Sequence, residues 1–138
     1  MDAAAFGSVE MKMLWLSIVL GLFQLLFATL FSVSHRGLPW GVSARDEPAA
    51  PMGTLGGRIE RAYRNFLETF VFFLAAVLMV QVLNRHSASS VLGAQLFFWA
   101  RLAYLPAYAL GIPWIRTLIW AVSLVGIAMV LRAVWPGM

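Results

Sequence analysis

From Met13 to Val33 the chain is apolar except for Ser17, Gln24, Thr29 and Ser32. At about 20 residues, this run is long enough to cross the roughly 30 Å hydrocarbon core of a bilayer as a helix. It exceeds the apolar core of a secretory signal peptide, no small-residue cleavage site closes it, and only Lys12 precedes it as a positive charge, so it is expected to remain as a span. Inside lipid only α-helices and closed β-barrels satisfy their backbone hydrogen bonds. Barrel strands alternate apolar and polar residues, and this run does not. The expected fold class is therefore all-α, a membrane protein built of helix against helix.

Three further segments share that character. Residues 57–84 open on a polar cluster and then run apolar to Leu83, residues 90–110 follow the short turn Asn84-Arg85-His86-Ser87, and residues 114–134 follow the turn Gly111-Ile112-Pro113. With 13–33 they make four expected spans in one domain, 1–138, arranged as an antiparallel bundle. Residues 35–56, with Pro39, Pro48, Pro51 and the charges of Arg36, Arg45, Asp46 and Glu47, are too broken and polar to enter lipid. The composition agrees: 62% of residues are hydrophobic and 12% charged, where a soluble domain has about a quarter charged.

The few charges report topology. Arg36, Arg45, Arg58, Arg61, Arg64, Arg101 and Arg116 fall on the side of the long loop, and Lys12, Arg85 and Arg132 on the other. By the positive-inside rule the long loop is cytoplasmic and both termini are outside. Trp15, Trp114 and Trp135 stand near span ends, where amphipathic rings favour the interface. The net charge of +4 is thus spent on membrane orientation and anionic headgroups, with no surface suited to nucleic acid. No cysteine is present, so thiol chemistry would need a thiol brought by a ligand.

Charge beside lipid costs several kcal/mol unless it pairs, lines a cavity or snorkels, so the cluster Arg58 to Glu68 is a candidate site. At 100° per residue, Arg58, Arg61, Asn65 and Glu68 fall within an arc of about 80°, which Arg64 widens to about 120°. On the third span Arg101, Tyr104 and Tyr108 occupy about 60°. Both stripes, and Arg116 at the start of the fourth span, lie on the same side of the membrane. Guanidiniums fork onto carboxylates, Glu68 can take an ammonium or brace an arginine, and tyrosines donate from rigid rings, so the set suits a small polyanion that also carries an amine.

In their order and spacing, Arg58-x-x-Arg61-Ala62-x-Arg64-Asn65-x-x-Glu68-Thr69, Arg101-Leu102-Ala103-Tyr104-x-x-x-Tyr108 and Gly111-Ile112-Pro113-x-x-Arg116-Thr117 resemble the membrane-associated proteins in eicosanoid and glutathione metabolism, the MAPEG family, in a bacterial-type form. The resemblance implies a homotrimer of four-helix subunits in a bacterial inner membrane, with glutathione as co-substrate near the cytoplasmic side and no metal. It further implies that Arg61, Asn65, Glu68, Tyr104 and Tyr108 hold glutathione, with Arg58 and Arg64 as supporting charges, and that Arg116 sits beside the sulfur. The implied activity is a transferase or peroxidase acting on lipophilic electrophiles. The alternative is a non-catalytic member that binds a lipid or a partner protein.

Plainer readings compete at several positions. Arg58 and Arg64 could anchor to headgroups, Arg116 beside Trp114 could snorkel from a helix end, and Tyr104 and Tyr108 could be interface aromatics. Arg101 with Glu68 is expected to form a buried structural ion pair between helices. His35 and His86 lie in turns on opposite sides and read as solvated. Phe70 to Phe73 and Phe97 to Trp99 read as packing or lipid-facing surface. A proton-coupled exporter is disfavoured because the first span shows no membrane-buried carboxylate.

Overall fold

The computed structural model describes residues 8–137 and is helical throughout its regular structure, with no strand among the described residues. The remaining residues of the expected 1–138 domain lie outside that range. Four long helices, α1 (Val9–Arg36), α3 (Gly53–Leu83), α4 (Ala88–Leu110) and α5 (Pro113–Ala133), are joined by turns and by a loop holding a single-turn helix, α2 (Leu38–Val42). Five helices rather than four thus occupy the described residues. The extra turn arises where Pro39, with its fixed φ, occupies the first turn after Gly37.

Helix ends follow the local sequence. Ser8 caps α1 by accepting the Met11 amide at 3.2 Å, which starts the helix ahead of the apolar run at Met13. α3 likewise begins at Gly53, five residues before the polar cluster opens at Arg58. Ser87 and Ser90 form a reciprocal capping box on α4. Gly111, at φ 74°, ends α4 in the left-handed conformation that glycine adopts without penalty, and Pro113 opens α5.

Residue pairings fix the topology. Ser8 meets Gln81 and Arg36 meets Glu60 between α1 and α3; Arg61 meets Tyr108 and Arg101 meets Asn65 between α3 and α4. Between α4 and α5, Ser89 meets Met129 near one end, and Tyr104 and Tyr108 pack with Ile119 and Trp120 near the other. In each pair one number rises as the other falls, so consecutive long helices run antiparallel. The apolar core gathers Phe73, Val77 and Val80 of α3, Ala94 and Phe97 of α4, and Ile127 and Val130 of α5, with Phe73 and Phe97 stacked at 4.0 Å.

α4 and α5 come closest. A Cβ on Gly93 would stand 2.5 Å from the Gly126 carbonyl oxygen, and one on Gly126 would stand 2.6 Å from that of Gly93. Paired glycines let the two backbones touch, which matters where packing rather than water exclusion drives helix association.

α1, α3 and α5 are each long and apolar enough to cross a membrane. α1 and α5 also expose large apolar side chains, among them Leu26, Leu30, Leu118 and Val125. α4 falls short of that hydropathy because it carries Gln95, Arg101, Tyr104 and Tyr108. It turns the arginine and both tyrosines inward, against α3 and α5, and leaves Leu92, Trp99 and Leu110 outside. The polar stripe is therefore buried in the bundle.

Candidate functional site

The first turns of α3, the last two turns of α4 and the start of α5 meet at one end of the bundle. There a cleft of about 350 Å³ is lined by Arg61, Arg64, Asn65, Glu68, Tyr104, Tyr108 and Arg116. Helical spacing puts the α3 residues on one side and the two tyrosines on the other, as the two stripes require.

Its wall is held by a few specific contacts. Arg61 Nε donates to the Tyr108 hydroxyl at 3.0 Å, the Arg116 guanidinium stands 5.0 Å from the centre of the Tyr108 ring, and the rings of Tyr104 and Tyr108 lie 5.5 Å apart. Tyr104 and Tyr108 are buried, whereas Arg61, Arg64 and Glu68 are exposed to the cleft. No hydrogen bond or ion pair engages the side chains of Arg64, Glu68 or Arg116 among the described residues. Three guanidiniums and one carboxylate thus face a common space, and most of their hydrogen-bonding capacity is open to a ligand.

Behind this wall sits Arg101, 1% exposed. Its guanidinium lies 4.5 Å from the Tyr104 ring centre and 5.7 Å from that of Phe66, contacts that favour a cation over an aromatic face. The expected ion pair with Glu68 does not form: both terminal nitrogens of Arg101 donate to Asn65 Oδ1 at 2.9 Å, and its buried Nε has no acceptor. The cause is depth. Glu68 stays at the exposed face of the cleft, and Arg101, packed under the tyrosine ring, reaches only the amide. Asn65 therefore bridges the cleft and the buried cation.

Arg58 does not line the cleft. Its Nη1 donates to the Ala109 carbonyl at 3.1 Å, and its guanidinium packs against Gly111, where a Cβ would stand 2.7 Å away. It closes the C-terminal end of α4, whose last carbonyls lack helical partners.

A neighbouring cleft of about 560 Å³ opens across α3 and shares Arg64 with the first. Leu25, Ala28 and Leu67 contribute to its apolar wall. The loop is tied there: Arg36 pairs with Glu60 at 3.1 Å and stands 4.8 Å from the Trp40 ring centre.

The sequence reading gives no part to Glu10 or Ser90 and leaves His86 in solvent. In the structure Glu10, 1% exposed in the first turn of α1, accepts from Ser90 Oγ at 2.5 Å and lies 3.2 Å from His86 Nδ1. The first helix does hold a buried carboxylate, at its end. The capping-box serines and an acid in the opening turn of α1 were the available signals, but only the fold brings three separate segments together. His35, by contrast, is exposed and stacks on Phe31.

No curated protein and no solved structure matches this chain. The MAPEG family model matches residues 4–135. With three helices of spanning length and composition, the chain is an integral membrane protein that belongs to the MAPEG family, a glutathione-associated membrane family.

Proposed function

We propose that this protein is a glutathione-dependent transferase or peroxidase that activates the glutathione thiol for attack on lipophilic electrophiles. The observation that carries the reading is the charge pattern of the cleft: Arg61, Arg64 and Arg116 against a single acid, Glu68. Glutathione with an ionised sulfur presents the inverse, two carboxylates and a thiolate against one ammonium. In the proposed pose Arg61 and Arg64 take carboxylates, Glu68 takes the ammonium, and Asn65, Tyr104 and Tyr108 hold the peptide by hydrogen bonds. Arg58 supports this end of α4 from outside the cleft.

Arg116 has the catalytic part. A guanidinium fixed beside the sulfur favours thiolate over thiol, and the thiolate is the nucleophile. In conjugation the sulfur lone pair forms the new C–S bond, and the leaving group departs with its electron pair. With a peroxide, the sulfur attacks the distal oxygen and releases an alcohol after protonation; a second glutathione then yields the disulfide and water. The apolar cleft that shares Arg64 supports approach of a membrane-dissolved electrophile.

In this reading all four long helices span, α4 with its polar stripe turned away from lipid, and the single domain assembles as a homotrimer in a bacterial inner membrane. The site then faces the cytoplasm, as the excess of arginines at that end supports. The test is a titration of the purified protein with glutathione, followed by thiolate absorbance in the ultraviolet. A saturable rise at neutral pH that is absent in Arg116→Ala supports the reading. Binding with no thiolate would replace the enzyme by a non-catalytic lipid- or partner-binding member.

A further inference from the structure

Arg101 is a cation inside the bundle with no carboxylate against it. It is 1% exposed, and the ion pairs among the described residues, Arg36 with Glu60 and His86 with Glu10, lie elsewhere. A buried cation is ordinarily matched by a carboxylate, because an uncompensated charge away from water is strongly destabilising. A carboxylate of the same size in place of the Asn65 amide would supply that match, yet the sequence has the amide.

The two groups differ at one end only. A guanidinium has donors and no acceptor, so the atom of Asn65 that meets both terminal nitrogens of Arg101 at 2.9 Å is its oxygen. The planar amide then holds Nδ2 away from Arg101. That nitrogen makes no hydrogen bond among the described residues and is not fully buried, and the side chain lines the cleft. Its neighbours have the same polarity. Arg61, Arg64 and Arg116 only donate, and Tyr108, whose oxygen already accepts from Arg61, keeps its own hydrogen to give. Glu68 is the one lining side chain that only accepts.

We propose that Arg101 is a positioning residue that sets the polarity of the cleft. It locks Asn65 with both amide hydrogens toward the ligand, so the ligand group seated at Asn65 is a carbonyl or carboxylate oxygen, and a ligand ammonium is confined to Glu68. The identity of that ligand rests on the glutathione reading. A free amide turns over to suit a donor or an acceptor, whereas a locked one discriminates between them. Arg101 touches no ligand and acts through Asn65.

Full-length protein in detergent is compared with N65D and R101M by thermal unfolding and by calorimetric titration with glutathione. In N65D the inward oxygen still accepts both guanidinium bonds, now within an ion pair, so the melting temperature is expected to hold or rise. The outward atom has changed from donor to acceptor, so affinity for glutathione falls by about tenfold or more, as an unmatched polar contact implies. R101M removes the lock and the buried charge together. An apolar side chain of similar length suits the position, and affinity falls by about fivefold although Arg101 touches no ligand. N65D decides alone where R101M fails to fold.

Glutathione bound by N65D as tightly as by the parent overturns the proposal, and tighter binding overturns it by placing the ammonium at Asn65. A lower melting temperature in N65D overturns it too, since Arg101 then does not face that oxygen. Unchanged affinity in a folded R101M overturns it by reducing Arg101 to packing. Absence of glutathione binding to the parent overturns the functional reading instead, and the N65D melting temperature then decides the lock by itself.

Discussion

Arg101 and Asn65 form a fork on a single acceptor: both terminal guanidinium nitrogens meet Asn65 Oδ1 at 2.9 Å. The cation is buried and Asn65 is half-buried at the cleft, so one neutral amide links a charge inside the bundle to the space where a ligand would sit. Removing it strands the charge. Hydrogen bonds to ionised groups contribute about 1.5–3 kcal/mol, so Asn65→Ala is expected to destabilise the protein by roughly 2 kcal/mol and to weaken glutathione binding together with stability. Thermal unfolding in detergent and a binding titration on the same sample check this. A variant with unchanged melting would show that Arg101 finds another acceptor.

Arg116→Ala should separate catalysis from folding. The side chain is half-buried, makes no hydrogen bond or ion pair within the described residues, and stands 5.0 Å from the centre of the Tyr108 ring, so stability should change by less than about 0.5 kcal/mol. Removing a fixed donor from a developing or formal anion typically costs about 100-fold to 1000-fold in turnover. Conjugation of a chromogenic aryl halide should fall by about that amount at saturating glutathione. Turnover within a factor of two of the parent would remove Arg116 from the mechanism.

For Arg61 the expected signature is different, because it acts on the ligand and on Tyr108 at once. Arg61→Ala should raise KM for glutathione by about tenfold or more, as loss of a charge-assisted hydrogen bond implies. Tyr108→Phe, which removes only the hydroxyl that Arg61 donates to, should raise it by a smaller factor, since the freed guanidinium can still reach the ligand. Steady-state kinetics with glutathione as the varied substrate ranks the two. The reverse order would mean that the hydroxyl contacts the ligand and Arg61 serves only to aim it.

Much of this arrangement is legible in the sequence because it depends on period and order. The 3.6-residue repeat puts Arg61, Asn65 and Glu68 on one face of α3 and Tyr104 and Tyr108 on one face of α4, and antiparallel neighbours bring the faces to the same end. Depth is harder to read. Whether Arg101 meets Glu68 or Asn65 turns on how far each side chain sits from the exposed face of the cleft, and periodicity carries no information about that distance. Arg58 shares the arc of Arg61 yet is captured by the Ala109 carbonyl, because the end of a neighbouring helix competes for it. Glu10, Ser90 and His86 are isolated polar residues in three segments, and no local pattern links them before the chain folds.

The closest approach in the bundle gives the last test. Gly93 and Gly126 face each other so tightly that a Cβ on Gly126 would stand 2.6 Å from a backbone oxygen and 2.8 Å from the Phe97 amide nitrogen. Both neighbours are backbone, so neither can rotate aside, and α4 must move away from α5. Overpacking of this kind costs about 1–3 kcal/mol, and Gly126→Val, with a branched side chain at the contact, should lie at the upper end of that range. The displacement also reaches the cleft, since α4 carries Tyr104 and Tyr108 while α5 carries Arg116. Gly126→Val should therefore lower both the melting temperature and conjugation rate, although Gly126 lies well over two helical turns from Arg116. Gly126→Ala should show both effects in weaker form. If stability falls in the valine variant and activity per folded molecule does not, then the cleft holds its shape independently of the α4–α5 contact.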